Sequence, residues 1–173
     1  VLSESELARV MARVKKGTGT PAGGKQTEPS SNPAKSSTQK GQKEAAQGKA
    51  VRQKQFEDKL QSALNAVRSD NPQTITDAYI SLVTDLPQVF KVAGANSKLA
   101  AQFLNVTAMA ATALELFDRA ERVYKKAITI LEALLPPDAT EIALIRLNLA
   151  TLYVLTANYS AAADSSRLAM FAL

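Results

Sequence analysis

The side chains that most often carry out catalysis or hold metals are missing from this chain of 173 residues. It contains no Cys and no His, which excludes Ser-His and Cys-His catalysis, disulfides and the usual zinc sites. Carboxylates, lysines, tyrosines and hydroxyls remain for acid–base chemistry, but they form no recognisable catalytic set. We therefore expect a protein that is not an enzyme and that uses no metal, cofactor or small-molecule substrate.

Positive charge is concentrated in the N-terminal third. Residues 1–55 contain 11 Lys/Arg against 4 Glu, a net +7, whereas residues 56–173 contain 10 Lys/Arg against 12 Asp/Glu, a net −2. The lysines of this basic arm include Lys15, Lys16, Lys25, Lys35, Lys40, Lys43 and Lys49. They are not interleaved with aromatic residues, so the pattern favours loose contact with RNA phosphates or an acidic surface over base reading. A solvated linker is the alternative.

Residues 1–16 have the pattern of a short amphipathic helix. Ser3 and Glu6 form a capping box, and the apolar stripe consists of Leu7, Val10, Met11 and Val14. A helix of this length is marginal alone in water. Three interpretations stay open: a fraying tail, a helix that docks into a groove, or a helix that lies on anionic lipid.

Residues 17–43 are predicted to be a disordered basic linker. From Gly17 to Gln42 the chain is rich in Gly, Ser, Thr, Pro, Gln and Lys, and it contains no Leu, Ile, Val, Phe or Tyr. Such a segment buries too little apolar surface to offset its conformational entropy.

Apolar residues at helical spacing return in residues 44–94, which we interpret as a helical hairpin that caps the rest of the chain. The first helix is expected from Glu44 to Ser69. Pro72 suits the first turn of the second helix. A third short segment is expected after Pro87, closing at Gly94.

Residues 95–173 are predicted to form two further helical pairs. The expected helices are Lys98–Leu116, Phe117–Leu135, Ala139–Thr156 and Tyr159–Phe171. Asn96 or Ser97 should cap the first helix, and Asp138 with Glu141 resembles a cap for the third. The turn at Ala157–Asn158 should use the tolerance of Asn for a left-handed backbone.

The two pairs repeat one pattern of small and aromatic residues. Phe117, Ala120, Tyr124 and Ala127 share one helix face, and Tyr159, Ala162, Ser166 and Ala169 repeat their spacing 42 residues later. A fixed period of this size is typical of a repeat solenoid. A generic helical bundle is the alternative, because Ala is common at helix contacts.

These residues resemble the tetratricopeptide repeat, in the 42-residue form of kinesin light chains. Leu104, Ala108, Phe117, Ala120, Tyr124 and Ala127 match in the first repeat, and Leu149, Ala150, Tyr153, Tyr159, Ala162 and Ala169 match in the second. The connecting segment from Glu132 to Ala143 is also similar. Thr107, Ala111, Arg146 and Ser166 depart from the family pattern. The resemblance covers under half of the chain.

The resemblance implies that the first helix of each repeat lines a concave groove that binds a partner protein. The implied groove residues are Gln102, Asn105, Val106, Met109, Leu144, Leu147, Asn148, Thr151 and Leu155. Asn148 matches an asparagine with which chaperone-binding members hold a peptide C-terminus, but the basic residues of that clamp are missing. The groove is therefore expected to take an apolar or amphipathic segment, either from a partner or from the chain's own N-terminal helices.

Two functions from different classes are consistent with these patterns. The first is a scaffold or assembly factor that captures a partner segment in the groove. The alternative is a structural subunit of a large complex, such as an organellar ribosome or a membrane complex, whose basic arm contacts RNA or an acidic surface. Two repeats are fewer than a solenoid usually needs, so we also expect a homodimer or a larger assembly.

Localisation is not specified by the sequence. Because the sequence starts with Val, removal of a chloroplast or mitochondrial transit peptide is one expectation, and a cytoplasmic protein is the other. No run of apolar residues is long enough to predict a membrane span.

Overall fold

A computed structural model describes residues 35–69 and 71–171 of the chain. In these ranges the regular structure is entirely α-helical, so the predicted all-α fold class is confirmed. The six helices are α1 (Lys35–Val67), α2 (Pro72–Ala93), α3 (Lys98–Ala113), α4 (Phe117–Glu132), α5 (Thr140–Leu155) and α6 (Tyr159–Met170). The predicted amphipathic helix at residues 1–16 and most of the predicted linker lie outside the described residues.

Helix α1 begins at Lys35, before the expected start at Glu44. Pro33 is the last proline before Pro72, and the intervening residues include many Lys, Gln and Ala, which favour helix. Backbone contacts divide the chain into two units, residues 1–52 and residues 53–173. Residues 46–52, the last residues of the first unit, all have exposed side chains or backbone.

Helix α2 has clear start and stop signals. Asn71 caps it by accepting hydrogen bonds from the backbone N–H groups of Gln73 and Thr74, at 3.0 and 3.3 Å. Pro72 occupies the first position, as predicted, and Gly94 ends the helix with φ of 96°. The predicted break at Pro87 is wrong, because the helix continues through this residue. Pro87 is exposed, and buried apolar residues on both sides hold the helix in place.

Two helical pairs follow, and their backbones repeat with the same period of 42. Thr140 at the start of α5 follows Lys98 at the start of α3 by 42 residues, and Tyr159 at the start of α6 follows Phe117 at the start of α4 by the same number. Helices α3 and α4 pack against each other, as do α5 and α6, and α5 also packs against α4. The backbone thus has the recurrence that the side-chain pattern predicted.

The turn inside each pair is the same motif. Glu115 and Ala157 have left-handed φ angles of 59° and 57°, and the N–H of the following residue reaches five residues back to a carbonyl at 2.8 Å in both turns. The prediction that Asn158 takes the left-handed backbone is wrong. Asn158 instead caps α6, where its side chain accepts a hydrogen bond from the N–H of Ala161.

The predicted caps of α3 and α5 had different outcomes. Ser97 caps α3 by accepting a hydrogen bond from the N–H of Ala100 at 3.1 Å, so this prediction is confirmed. The predicted Asp138 cap of α5 is wrong. Ala139 occupies the capping position without a side-chain hydrogen bond, because the helix starts one residue later than the D-x-x-E pattern requires.

The core of residues 53–171 combines close-packed alanines with a few large side chains. The fully buried alanines include Ala100, Ala101, Ala108, Ala110, Ala120, Ala127 and Ala143. Phe56 of α1 meets the buried Phe103 of α3 edge to face, with ring centroids 6.0 Å apart. Lys59 of α1 pairs with Asp85 of α2 at 2.7 Å. The C-terminal part of α1 therefore contacts both α2 and α3.

Among the described helices, none is both long enough and apolar enough to span a bilayer.

Candidate partner-binding surface

Helices α3 and α5 lie side by side and run in the same direction. The Lys98 ammonium donates a hydrogen bond to the Glu141 carboxylate, and the Asn148 amide donates to Asn105 Oδ1 at 3.1 Å. Each pair joins residues 43 apart in sequence, and the second pair lies seven residues, or two helical turns, beyond the first. This constant offset requires parallel helices in register. We call this line of contacts the α3–α5 seam.

The implied groove residues differ in how far they reach the surface. Leu144 and Leu155 are 52% and 58% exposed, and Thr151 is also exposed. Gln102, Asn105, Met109, Leu147 and Asn148 are half-buried. Val106 is only 4% exposed, so it offers no surface to a partner. The surface along the seam thus contains amides at its centre and leucines on the α5 side. A role of these residues in binding stays a prediction.

The Asn105–Asn148 pair retains hydrogen-bonding capacity. One N–H of Asn148 donates to Asn105 Oδ1 within the pair. The second N–H and the carbonyl oxygen of Asn148, and the NH2 group of Asn105, can still bond to a partner. Both side chains are half-buried and therefore accessible to a partner. An amide presents a donor and an acceptor together, which matches the donor and acceptor of a peptide backbone. The pair is suited to fix a peptide segment without requiring a charge.

Electrostatics at the start of the seam are set by one ion pair. The hydrogen bond from Lys98 lowers the pKa of the Glu141 carboxyl, together with a backbone hydrogen bond. Both side chains are substantially exposed, so the pair contributes little to stability. The pair lies in the first turn of both helices, so this end of the seam carries one positive and one negative charge.

A second polar network joins α5 to α4. Tyr153 donates a hydrogen bond to Glu121 Oε1 at 2.8 Å, and Lys125 donates to the same oxygen at 2.6 Å. The Lys125 bond, followed by that of Tyr153, lowers the pKa of Glu121 against the opposing effect of burial. Burial and the bond to Glu121 raise the pKa of Tyr153. The Glu121–Lys125 pair has the i,i+4 spacing at which opposite charges meet on one helix face.

Arg146 departs from the repeat pattern, and the structure shows its contacts. Its guanidinium donates to Glu132 Oε1 of α4 at 2.8 Å and to the backbone oxygen of Leu168 of α6 at 3.1 Å. Its side chain is largely buried. Arg146 therefore connects three helices, which no local sequence pattern indicated.

Helix α6 exposes several apolar side chains. Tyr159, which matches an aromatic position of the repeat pattern, is 68% exposed. Met170, Leu168 and Phe171 are exposed as well. A helical spacing identifies a shared face, but only the neighbouring helices decide whether that face is covered.

The N-terminal predictions are only partly within the described part of the chain. The docking stripe Leu7, Val10, Met11 and Val14 and the arm residues Lys15, Lys16 and Lys25 lie outside it. Lys35, Lys40 and Lys43 lie within α1, and Lys49 is exposed on that helix.

Neither a metal-binding cluster among the described residues nor a similarity to known proteins indicates a further binding site. In the described ranges, no group of acidic side chains is arranged to hold a metal ion. Comparison with protein-family models, with curated proteins and with solved structures found no match to this chain.

Proposed function

We propose that this protein is a non-enzymatic interaction module that captures an apolar or amphipathic segment of a partner protein along the α3–α5 seam, as a scaffold or assembly factor. The observation that supports it is the Asn105–Asn148 amide pair beside the exposed leucines Leu144 and Leu155. Exposed leucines in such a row are typical of surfaces that bury apolar side chains of a partner. The resemblance to tetratricopeptide repeats supports the same location.

The two parts of the surface would have separate roles. Leu144 and Leu155, with the half-buried Met109 of α3, supply the apolar area that provides affinity. The amide pair forms hydrogen bonds with the partner backbone and so fixes the position of the partner segment along the seam. Such a surface binds with weak dependence on salt, because no ion pair with the partner is needed.

The test is capture of a partner by immobilised residues 1–173 from cell extract, followed by binding measurements with the identified segment. We expect Leu155→Glu and Asn148→Ala each to weaken binding by about tenfold or more, since each removes a central contact. Ile80→Glu is the matched control, because Ile80 of α2 is also exposed but lies away from the seam. Equal binding by the Leu155 and Ile80 variants would contradict the proposal.

The charge distribution supports the alternative function of a subunit whose basic arm contacts RNA or an acidic protein surface. Residues 1–55 carry the net +7 given above, and such contacts weaken steeply with salt. Capture by residues 1–173 at low and at high salt separates the two functions. Capture that persists at high salt favours the seam, whereas loss of capture at high salt favours the arm.

A further inference from the structure

Helix α1 changes in burial along its length. From Phe56 onward it contains half-buried residues and the buried Ala63. Residues 46–55 are all exposed, so this stretch of the helix gains no stability from a hydrophobic core. Its side chains are accessible to a ligand on every side.

The first part of α1 also carries most of the positive charge of the N-terminal third. Residues 35–55 contain six Lys/Arg against one Glu, a net +5, whereas residues 1–34 contribute a net +2. We call residues 35–55 the cationic segment; at the rise of an α-helix it is about 30 Å long. Among the described residues, no acidic side chain forms an ion pair with Lys49, Arg52 or Lys54.

The helical register arranges these charges in two rows. One face of the helix carries small and amide side chains, at the spacing i, i+4, i+7 of Ala46, Ala50 and Gln53. At 3.6 residues per turn, Lys49 and Arg52 lie on one side of this face. Lys54 lies on its other side. The face is therefore flanked by cations on both sides.

The preceding turns of α1 continue the arrangement. By the same register, Gln39 and Gln42 fall on the face of small and amide residues, which we call the amide face. Lys40 and Lys43 fall on the side that carries Lys54. The two cationic rows therefore extend along most of the segment.

The opposite face of the segment contains its single carboxylate. Glu44, Val51 and Gln55 follow one another at the spacing i, i+7, i+11, and they lie across the helix from the amide face. Negative charge is thus kept away from the amide face and its two rows. This separation depends on the helix and does not appear as a run of charges in the sequence.

Two cationic rows around a polar face are complementary to a groove between two phosphate backbones. A flat acidic surface would meet one row only, and a partner protein groove would need an apolar stripe, which the cationic segment lacks. An α-helix with its side chains is about 10–12 Å across, which matches the major groove of B-form DNA at about 12 Å. The major groove of A-form RNA is too narrow for a helix, and the segment has no aromatic residue to stack on single strands.

We propose that the cationic segment of α1 docks in the major groove of double-stranded DNA, with the amide face towards the base edges and one cationic row on each phosphate backbone. Glutamine and alanine suit this position, because they contact adenine and the thymine methyl group in major grooves. The α3–α5 seam is not involved, so the proposal is independent of partner capture. It differs from the basic-arm alternative in its ligand and in its dependence on the helical register.

The first test compares nucleic acids of equal length on the full chain of residues 1–173. Fluorescence anisotropy at low salt measures binding to a mixed-sequence DNA duplex of about two helical turns, to the RNA duplex of the same sequence and to single-stranded DNA. We expect the dissociation constant for the DNA duplex to be about tenfold lower than for the others. Equal binding of duplex RNA would overturn groove docking and leave the basic-arm alternative standing. Absence of binding to all three would overturn both.

The second test examines the orientation of the helix with two matched variants. Gln53→Glu and Gln55→Glu make the same change at exposed positions two residues apart, but only Gln53 lies on the amide face. Gln53→Glu should raise the dissociation constant for the DNA duplex by about tenfold, and Gln55→Glu by about twofold. Circular dichroism verifies that both variants keep their helix content. Equal effects of the two variants would overturn the proposed orientation.

The salt dependence of binding gives a measurement that does not need a glutamate variant. With five cations on phosphates, the logarithm of the binding constant should fall with the logarithm of the salt concentration at a slope of about −4. Lys54→Gln should make this slope shallower by about 1. Lys91→Gln removes an exposed lysine of α2 and should leave the slope unchanged. The same slope in both variants would overturn the contact between the segment and the phosphates.

Discussion

The pair α3–α4 and the pair α5–α6 share one backbone geometry but differ in burial. Helix α4 buries six residues, whereas α6 buries only Ala162 and Ala169. Helix α4 packs against both α3 and α5, while the main packing of α6 is against α5. The comparison shows that the repeated backbone is set by local signals and that the stability of each pair is set by its neighbours. We expect α6 to open more readily than α4.

The largest expected difference between the pairs comes from removing a tyrosine at a covered or an uncovered site. Tyr124→Ala should lower the free energy of unfolding by about 3–5 kcal/mol, because Tyr124 is buried and the change leaves a cavity. Tyr159→Ala should change it by less than about 0.5 kcal/mol in the monomer, since that ring is exposed. Urea denaturation at low protein concentration measures both. Similar losses would show that α6 is also covered in solution.

Burial of Tyr124 also predicts a loss of stability in alkali. Burial raises the pKa of this phenol from 10.0 to about 12 in the folded protein, against a smaller opposing effect of a hydrogen bond to Thr112. Because the folded-state pKa is the higher one, the stabilisation is complete below pH 10 and decreases as the pH rises towards 12. The decrease should reach about 2 kcal/mol.

Tyr124→Phe isolates this contribution, because the variant retains the ring but cannot ionise. Its free energy of unfolding should decrease less between pH 9 and the alkaline limit than that of the unchanged protein. Parallel pH profiles of the two proteins would contradict burial of the Tyr124 hydroxyl.

The left-handed residues of the two turns give a smaller effect. Ala157→Gly should raise stability by about 1 kcal/mol, because glycine adopts the φ of 57° without strain. Asn158→Gly should instead lower it by a few tenths, since the cap bond to Ala161 is lost. Thermal unfolding of the two variants measures the opposite signs. If Asn158→Gly stabilised the protein and Ala157→Gly destabilised it, the left-handed residue of the turn would be Asn158.

A further small effect concerns acid stability. Glu121 accepts hydrogen bonds from Lys125 and Tyr153, and the first of these mainly lowers its pKa below 4.5. A lowered folded-state pKa means that the stabilisation is present above pH 4.5 and is lost as the pH falls through the folded-state value. Because both charged groups are partly exposed, we expect about 0.5 kcal/mol.

Glu121→Gln should reduce this acid-dependent part of the stability. The equivalent residue of the second pair is Ala163, so the second pair has no matching contribution. Urea midpoints at neutral and acidic pH measure the difference. An unchanged pH dependence in Glu121→Gln would show that the Tyr153 and Lys125 contacts do not form in solution.

The position of most helices was predictable because their signals are local. Asn71, Pro72 and Ser97 lie at the ends of helices where their backbone and side-chain chemistry predicts them. Pro87 misled the sequence interpretation, since a proline usually ends a helix but is tolerated where packing on both sides is strong. Asp138 does not cap α5, because this helix starts one residue later than the D-x-x-E pattern requires.

The candidate site was less predictable than the fold. The resemblance named the seam residues, but it included Val106, which the core buries. It also gave no sign of the Lys98–Glu141 pair or of the three-helix contacts of Arg146. These contacts join residues 14 to 43 positions apart, a separation at which local periodicity carries no information.

The sequence by itself determined the all-α class, the period of 42 and the absence of histidine and cysteine chemistry. These properties depend on composition and on spacing within single helices. Only the tertiary structure decided that α5 packs on α4, where Tyr153 reaches Glu121, while Tyr159 of α6 stays exposed. The physical reason is that burial depends on which helices pack together, and residues of the same spacing acquire different environments when one of them has no covering helix.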